Sequence, residues 1–141
     1  MVYGKIGRIL FFRLSENEDL IDFIKKKAEE NDVRAGILIL IGALKSATIG
    51  FYKAGTYKQV QLEEPLEIAS CMGNIAIGKD DEIMVHAHIV VSNEEGKSFG
   101  GHLMKNSRVS VTAELMIIEG TNLDLFRAFD EKTKLNLLKL D

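Results

Sequence analysis

The chain contains three histidines, and all of them fall between positions 86 and 102. His86 and His88 form an H-A-H segment, and His102 stands in a G-G-H-L segment. In a β-strand, side chains two residues apart project from the same side, with Cβ atoms roughly 7 Å apart. A third imidazole completes a three-nitrogen face and leaves a fourth position open, as in catalytic zinc sites. The spacing therefore predicts a divalent transition metal, expected to be zinc, held by His86, His88 and His102.

An H-x-H strand segment has two other interpretations, a hydrogen-bonded pair in the core and a solvated face. The neighbouring residues of the segment are apolar at Ile83, Val85, Ala87, Ile89 and Val91. This alternation places the opposite face of the strand in a core. An imidazole buried on the histidine side needs a partner, because an unsatisfied buried polar group loses its hydration. The surroundings therefore favour metal ligation over both alternatives.

Zinc on three neutral imidazoles is a Lewis acid that lowers the pKa of a bound water to roughly 7. Metal-dependent hydrolysis or hydration is the reaction that such a site predicts. No catalytic residue is assigned, but Glu114 is a candidate to accept a hydrogen bond from an imidazole or to relay a proton. Its alternative role is a solvated side chain on an exposed strand face. Gly100 and Gly101 are predicted to form a turn that brings His102 to the metal without a Cβ clash.

The composition is that of one soluble domain. The 141 residues are 46% hydrophobic and 28% charged, and the net charge of −3 provides no general attraction to nucleic acid. Cys71 is the single cysteine and reads as a buried residue, which suits a reducing compartment. The longest apolar run, residues 36–44, is about half of the roughly 20 residues that a membrane span needs. With no signal-peptide pattern at the amino terminus, the expected location is the cytoplasm.

The predicted elements that position the histidines are several strands and a single helix. A capping signal at Ser15–Glu18 predicts a helix that ends near Glu30. The first predicted strands are residues 6–14 and an apolar central run, residues 34–44, in which Gly42 turns the chain. A hairpin of residues 47–53 and 57–62 follows. The remaining predicted strands are residues 66–77, the H-A-H strand, a returning strand through residues 99–102, and residues 109–118. The tail beyond residue 122 is ambiguous. This pattern predicts a single α+β domain over residues 1–141, with one amphipathic helix covering a largely antiparallel sheet.

The combination of H-A-H, G-G-H-L and a late R-x-x-D resembles the plants and prokaryotes conserved (PPC) domain, in its stand-alone prokaryotic form. Further landmarks follow in the family's order: Ile41-Gly42-Ala43, Leu66-Glu67-Ile68, Gly73-Asn74-Ile75, Val111-Thr112-Ala113-Glu114, and Arg127-Ala128-Phe129-Asp130 through Thr133 and Leu138. The resemblance implies a homotrimer with the histidines close to where subunits meet, and a transition metal on those histidines. Plant relatives add an AT-hook for DNA, whereas this chain has no R-G-R-P hook and no basic arm before Tyr3.

The sequence therefore supports two functions of different kinds. The first is a metal-binding homotrimer with hydrolytic chemistry. The second is a noncatalytic trimeric module whose histidines form a structural or ligand-sensing site and whose surface binds a small molecule or another protein. Direct DNA binding is the least favoured, because Lys53, Lys58, Lys105 and Arg108 are too dispersed to form a basic strip. No membrane partner is expected.

Overall fold

The computed structural model of the chain describes residues 1–140, which form one α+β domain. The elements in chain order are β1 (Lys5–Leu14), α1 (Leu20–Glu30), β2 (Gly36–Lys53), β3 (Thr56–Leu62), β4 (Leu66–Ile77), a one-turn 3-10 helix (Lys79–Asp81), β5 (Ile83–Ser92), β6 (Ser98–Leu103), β7 (Arg108–Thr121), β8 (Phe126–Asp130) and β9 (Leu135–Lys139). All strand pairings are antiparallel except the contact of β8 with β4. The predicted fold class, one helix with a largely antiparallel sheet, is confirmed. Within these residues, no helix has the length and apolar content needed to cross a membrane.

The helix begins four residues later than the Ser15 signal predicts. Asp19 is the N-cap, and its carboxylate accepts hydrogen bonds from two amides of the first turn at 3.0 and 3.2 Å. The Glu18 carboxylate instead accepts from the Ser15 amide at 2.7 Å and orders the loop before the helix. The end at Glu30 is as predicted. One face of the helix is buried, through Leu20, Phe23, Ile24 and Ala28.

Gly42 lies inside a long strand and does not end it. β2 continues for 18 residues, and its pairing with β4 shifts register between Ile39 and Gly42. Gly42 has a φ of 137°, and a Cβ there would lie 2.5 Å from the Cα of Ala113 on β7. The predicted turn is therefore wrong: the glycine allows an irregularity in the middle of the strand where a neighbouring backbone approaches closely.

The bent strand β2 lets part of the sheet close on itself. Its first half pairs with β7 and β4, and its second half pairs with β3 and β6. Because β6 pairs with β5 and β5 pairs with β4, the strands β2, β6, β5 and β4 form a closed ring. The core joins the buried face of α1 to the sheet, where Leu38, Leu44, Ile75, Ile89 and Leu115 are fully buried.

The other face of the sheet carries two rows of cross-strand neighbours that run towards the histidines. Directly paired residues lie on the same face, so the register defines each row. The first row is Ile9, Ile118, Ile37, Asn74 and His86. The second row is Phe11, Met116, Ile39, Met72, His88 and His102. We call this surface the outer sheet face. It is apolar at one end and imidazole-bearing at the other.

Candidate metal centre

The outer sheet face brings the three histidines together. His86 and His88 lie two residues apart on β5, and β6 runs antiparallel to it so that His102 pairs directly with His88. One imidazole nitrogen from each ring lies within 4.8 Å of the nitrogens of the other two. The ring centroids are 5.0 to 5.6 Å apart. The geometric prediction made from the H-A-H and G-G-H-L segments is thus met within a single chain.

Glycines allow the strands that carry these rings to pack closely. Gly100 and Gly101 lie inside β6, so the predicted turn at this pair is wrong. A Cβ on Gly101 would be 2.4 Å from Ile49 and 2.7 Å from the Gly50 carbonyl oxygen on β2. A Cβ on Gly73 of β4 would lie 2.1 Å from the carbonyl oxygen of His86. The absence of a Cβ atom at Gly101 and at Gly73 therefore allows β6 and β5 to lie this close to their neighbouring strands. For His102, this agrees with the expectation that glycine avoids a Cβ clash.

A buried arginine contacts the cluster from β8. The Nη2 atom of Arg127 donates to the Asn74 Oδ1 at 2.9 Å and lies 3.0 Å from the His86 Nδ1. Its Nη1 atom donates to the Asn136 carbonyl oxygen at 3.0 Å. Because a guanidinium has no acceptor, the His86 Nδ1 must accept, and the neutral ring carries its proton on Nε2. A metal ion on His86 therefore competes either with this proton or with Arg127.

Burial keeps two of the rings uncharged at neutral pH. It lowers the pKa of His102 to about 4, and the nearby charges of His86, His88 and Arg127 add to the effect. The pKa of His86 is also lowered, first by burial and then by Arg127 and His88. A neutral imidazole is the form that binds a metal ion, so neither ring has to lose a positive charge at pH 7, although a metal on His86 still has to displace the Nε2 proton or Arg127.

The described residues fit a zinc-like ion in donor type and in number. Tetrahedral zinc with Zn–N bonds of about 2.0–2.1 Å holds its ligand nitrogens about 3.3 Å apart, so these rings need to close by at most about 1.5 Å. The His102 Nδ1 is buried and has no hydrogen-bond partner among residues 1–140, so an ion bound at this nitrogen would offset the cost of an unsatisfied polar atom. Only the three histidines form the group in this part of the chain, which leaves a fourth coordination position open.

Glu114 is not brought to the histidines. It lies on β7, opposite Arg13 of β1 and Ile41 of β2, and its side chain is exposed. His102 is opposite Gly50, nine positions further along β2. Since a strand rises about 3.3 Å per residue, no glutamate side chain bridges that separation within one chain. Within the single subunit Glu114 therefore does not reach His102, and its role as an outer hydrogen-bond partner stays a prediction.

Cys71 is a core residue, as predicted. It is buried, and burial raises the pKa of its thiol to about 12. The thiolate that acts as a nucleophile or a metal ligand is therefore absent at neutral pH. This leaves imidazole as the donor type of the site.

Three polar residues of the site escaped the sequence-based prediction. Asn74 lies next to His86 across β4 and β5, and the Tyr57 ring lies 4.7 Å from that of His102. Arg127 comes from the carboxyl-terminal hairpin, whose secondary structure the sequence left ambiguous. The available signal was the R-x-x-D segment that begins at Arg127, which the sequence offered as a family landmark without a role in the site.

Residues 1–121 match the Plants and Prokaryotes Conserved domain, and the chain belongs to this family. The resemblance inferred from the motifs is thereby confirmed. Among solved structures, the chain is similar to a metal-containing protein from Archaeoglobus fulgidus, with 31% identity, a TM-score of 0.90 and coverage of 99% of both chains. It is also similar to a plant- and prokaryote-conserved protein from Pyrococcus horikoshii, with 30% identity, a TM-score of 0.89 and coverage of 99% of this chain and 96% of that one.

The sequence is also similar to part of a much longer protein. It is 28% identical over 127 residues to the bifunctional protein GlmU from Synechococcus sp. (strain JA-3-3Ab), which is 89% of this chain and 19% of GlmU. The chain therefore spans about a fifth of the length of this curated relative.

Proposed function

We propose that this protein is a cytoplasmic, homotrimeric metal-binding protein that holds one zinc ion per chain on His86, His88 and His102 and uses it for hydrolysis. The observation that carries the proposal is the convergence of three imidazole nitrogens within 4.8 Å. A similar protein from Archaeoglobus fulgidus is described as metal-containing, which supports a metal in this position. Zinc is the expected ion because imidazole ligands suit zinc and the group of three ligands contains no sulfur or carboxylate donor.

The surroundings of the rings support chemistry more than a closed structural site. His88 is exposed, and the described residues supply three ligands to the group where a structural zinc site has four. Bound zinc supplies Lewis acidity, which lowers the pKa of a coordinated water to about 7. The chain itself contributes an uncharged His102 at pH 7 and the Tyr57 ring, which lies tilted against His102 at a centroid distance of 4.7 Å. The Tyr57 ring restricts the orientation of His102.

A noncatalytic assembly module is the second candidate, and one observation favours it. The apolar end of the outer sheet face leaves large side chains in solvent, with Phe11 73% and Ile9 58% exposed. Contiguous exposed apolar surface of this kind marks an interaction site in soluble proteins. A second and third copy of the chain would cover it. In this alternative, the metal site stabilises or regulates the assembly and performs no reaction.

A zinc titration of metal-free protein tests the metal assignment. We expect the wild-type protein to take up one zinc ion per chain and the triple variant His86→Ala, His88→Ala, His102→Ala to take up none. Glu114→Gln is the matched control, because the structure separates Glu114 from the rings, and it should bind zinc like the wild type. Equal zinc uptake by the wild type and the triple variant would refute the ligand assignment.

A hydrolysis assay separates the two candidate functions. Zinc-loaded protein should cleave the activated ester 4-nitrophenyl acetate, with a rate that rises with pH around an apparent pKa of about 7. Metal-free protein and the triple variant should remain at the background rate. Full zinc occupancy with only background cleavage would favour the noncatalytic module.

A further inference from the structure

Arg127 is a buried cation without an anionic partner. The side chain is 8% exposed, and its three hydrogen bonds go to the neutral groups of Asn74, His86 and Asn136. No carboxylate forms an ion pair with it in the described part of the chain, and its Nε is buried without a hydrogen-bond partner. In contrast, the exposed Arg8 and Arg34 both pair with carboxylates. A buried charge without a counter-ion is costly, so an anion supplied from outside would stabilise Arg127.

The guanidinium lines a small pocket of about 200 Å³ beside the histidine cluster. Its polar lining residues are Arg127, Tyr57, Asn136, His86 and His102. Its apolar lining, called here the apolar wall, includes Met84 of β5 together with Leu135 and Leu137 of β9. Ligand pockets for drug-sized molecules are typically about 300–1,000 Å³, so this one suits a molecule of only a few heavy atoms.

We infer that this pocket binds a short aliphatic carboxylate, with its carboxylate against Arg127 and its hydrocarbon part against the Met84, Leu135 and Leu137 wall. The Arg127 Nη1 makes one hydrogen bond and keeps a second N–H, and a hydrogen bond from a guanidinium to a carboxylate is roughly twice as strong as one between neutral groups. Inorganic phosphate satisfies the charge equally well, but it gains nothing from an apolar wall. The mixed lining therefore favours an organic anion.

The inference goes beyond the proposed function and stands without the metal, because it depends on contacts of Arg127 and on the apolar wall. It also predicts how the two sites interact. A divalent ion bound to His86 would lie close to the positive charge of Arg127. Repulsion between the two charges would weaken zinc binding and would disfavour Arg127 in its present position. A carboxylate bound to Arg127 would reduce this repulsion. Zinc and carboxylate should therefore each increase the affinity for the other by the same factor.

The test uses metal-free wild-type protein and measures binding of butyrate, butanamide and inorganic phosphate by calorimetry. Butyrate should bind about tenfold or more tightly than its uncharged isostere butanamide, because the charge-assisted contact is lost in the amide. Phosphate should bind more weakly than butyrate. Nitrogen-proton spectra of the arginine side chains add a direct readout on the unmodified protein, in which butyrate should shift the Arg127 Nε resonance.

Two variants complete the test. Arg127→Gln should weaken butyrate binding about tenfold or more and abolish the preference for butyrate over butanamide. Arg34→Gln removes an exposed arginine paired with Asp81 outside this pocket and should bind butyrate like the wild type. Zinc uptake is measured separately on the same samples, so loss of zinc binding is distinguishable from loss of carboxylate binding. Equal affinities for butyrate and butanamide, preference for phosphate, or an unshifted Arg127 resonance would each overturn the inference.

Discussion

At the scale of single residues, the site combines neutral rings with one buried positive charge. His102 has a pKa of about 4 in the folded chain, below the ordinary value of 6.5, because the ring is buried among other potentially charged groups. Arg127 stays charged, and its hydrogen bond to the His86 Nδ1 fixes the proton of that ring on Nε2. The uncharged His102 suits a metal ion, whereas the charge of Arg127 favours a ligand that brings negative charge.

The depressed pKa of His102 predicts that acid destabilises the metal-free protein. Between pH 6.5 and about 4 the unfolded chain binds a proton on this ring that the folded chain does not, so the free energy of unfolding falls as the pH falls through this range. Urea unfolding at several pH values measures this dependence. His102→Gln should show a shallower decline than the wild type. Identical slopes for the two proteins would mean that His102 does not have a depressed pKa in the folded state.

Some residues of the site could be predicted from the sequence, and others could not. The H-A-H and G-G-H-L segments predicted the three ligand positions because strand alternation is a local rule that needs no tertiary information. Arg127 could not be predicted in the same way. It reaches His86 across 41 positions of sequence, through a parallel contact between β4 and β8 for which the sequence has no local signal. The distance of Glu114 from the rings likewise depends on the order of strands, which the local pattern does not give.

At the scale of elements, the position of His102 depends on how closely β6 approaches β2. Gly101 is the residue that permits this approach, whereas the adjacent Gly100 has more space. A Cβ on Gly100 would meet a Val90 methyl group at 3.1 Å, and its closest backbone atom would be 3.3 Å away. The two neighbouring glycines therefore offer a matched pair of substitutions.

Gly101→Ala should displace β6 and lower zinc affinity more than Gly100→Ala does. Overpacking a well-packed region costs about 1–3 kcal/mol, and here the clash involves the Gly50 backbone as well as Ile49. Thermal unfolding and zinc titration of the two variants measure the stability and the site geometry. Equal zinc affinity in both variants would show that the β2–β6 contact does not position His102.

The helix α1 and the long strand β2 each differ from the sequence-based prediction at one point. The apolar periodicity of α1 correctly gave its end at Glu30, but its start shifted because the Asp19 carboxylate caps the first turn and Ser15 does not. Gly42 was expected to turn the chain, but β2 runs through it as a bulged strand held on both sides by β7 and β4. In both cases, contacts between elements decided between local signals that were equally acceptable.

At the scale of the whole molecule, the apolar part of the outer sheet face predicts self-association. Phe11→Glu places a charge at the β1 edge of this apolar part, where Phe11 is 73% exposed, and we expect the variant to sediment as a monomer while the wild type sediments as a trimer. Phe51→Glu is the control, because Phe51 is 67% exposed and lies on the β2–β3 hairpin outside this face. A trimer that persists in Phe11→Glu, or a wild type that is monomeric at all concentrations, would contradict the assembly proposed here.

The central claim is that His86, His88 and His102 bind one metal ion together, and X-ray absorption at the zinc edge of zinc-loaded protein tests it most directly. The spectrum should show three imidazole nitrogens at about 2.0–2.1 Å, a light atom in the fourth position and no sulfur. The His102→Ala variant should lose one imidazole from this pattern. Fewer than three imidazoles in the wild type, or a sulfur ligand at about 2.3 Å, would contradict the claim.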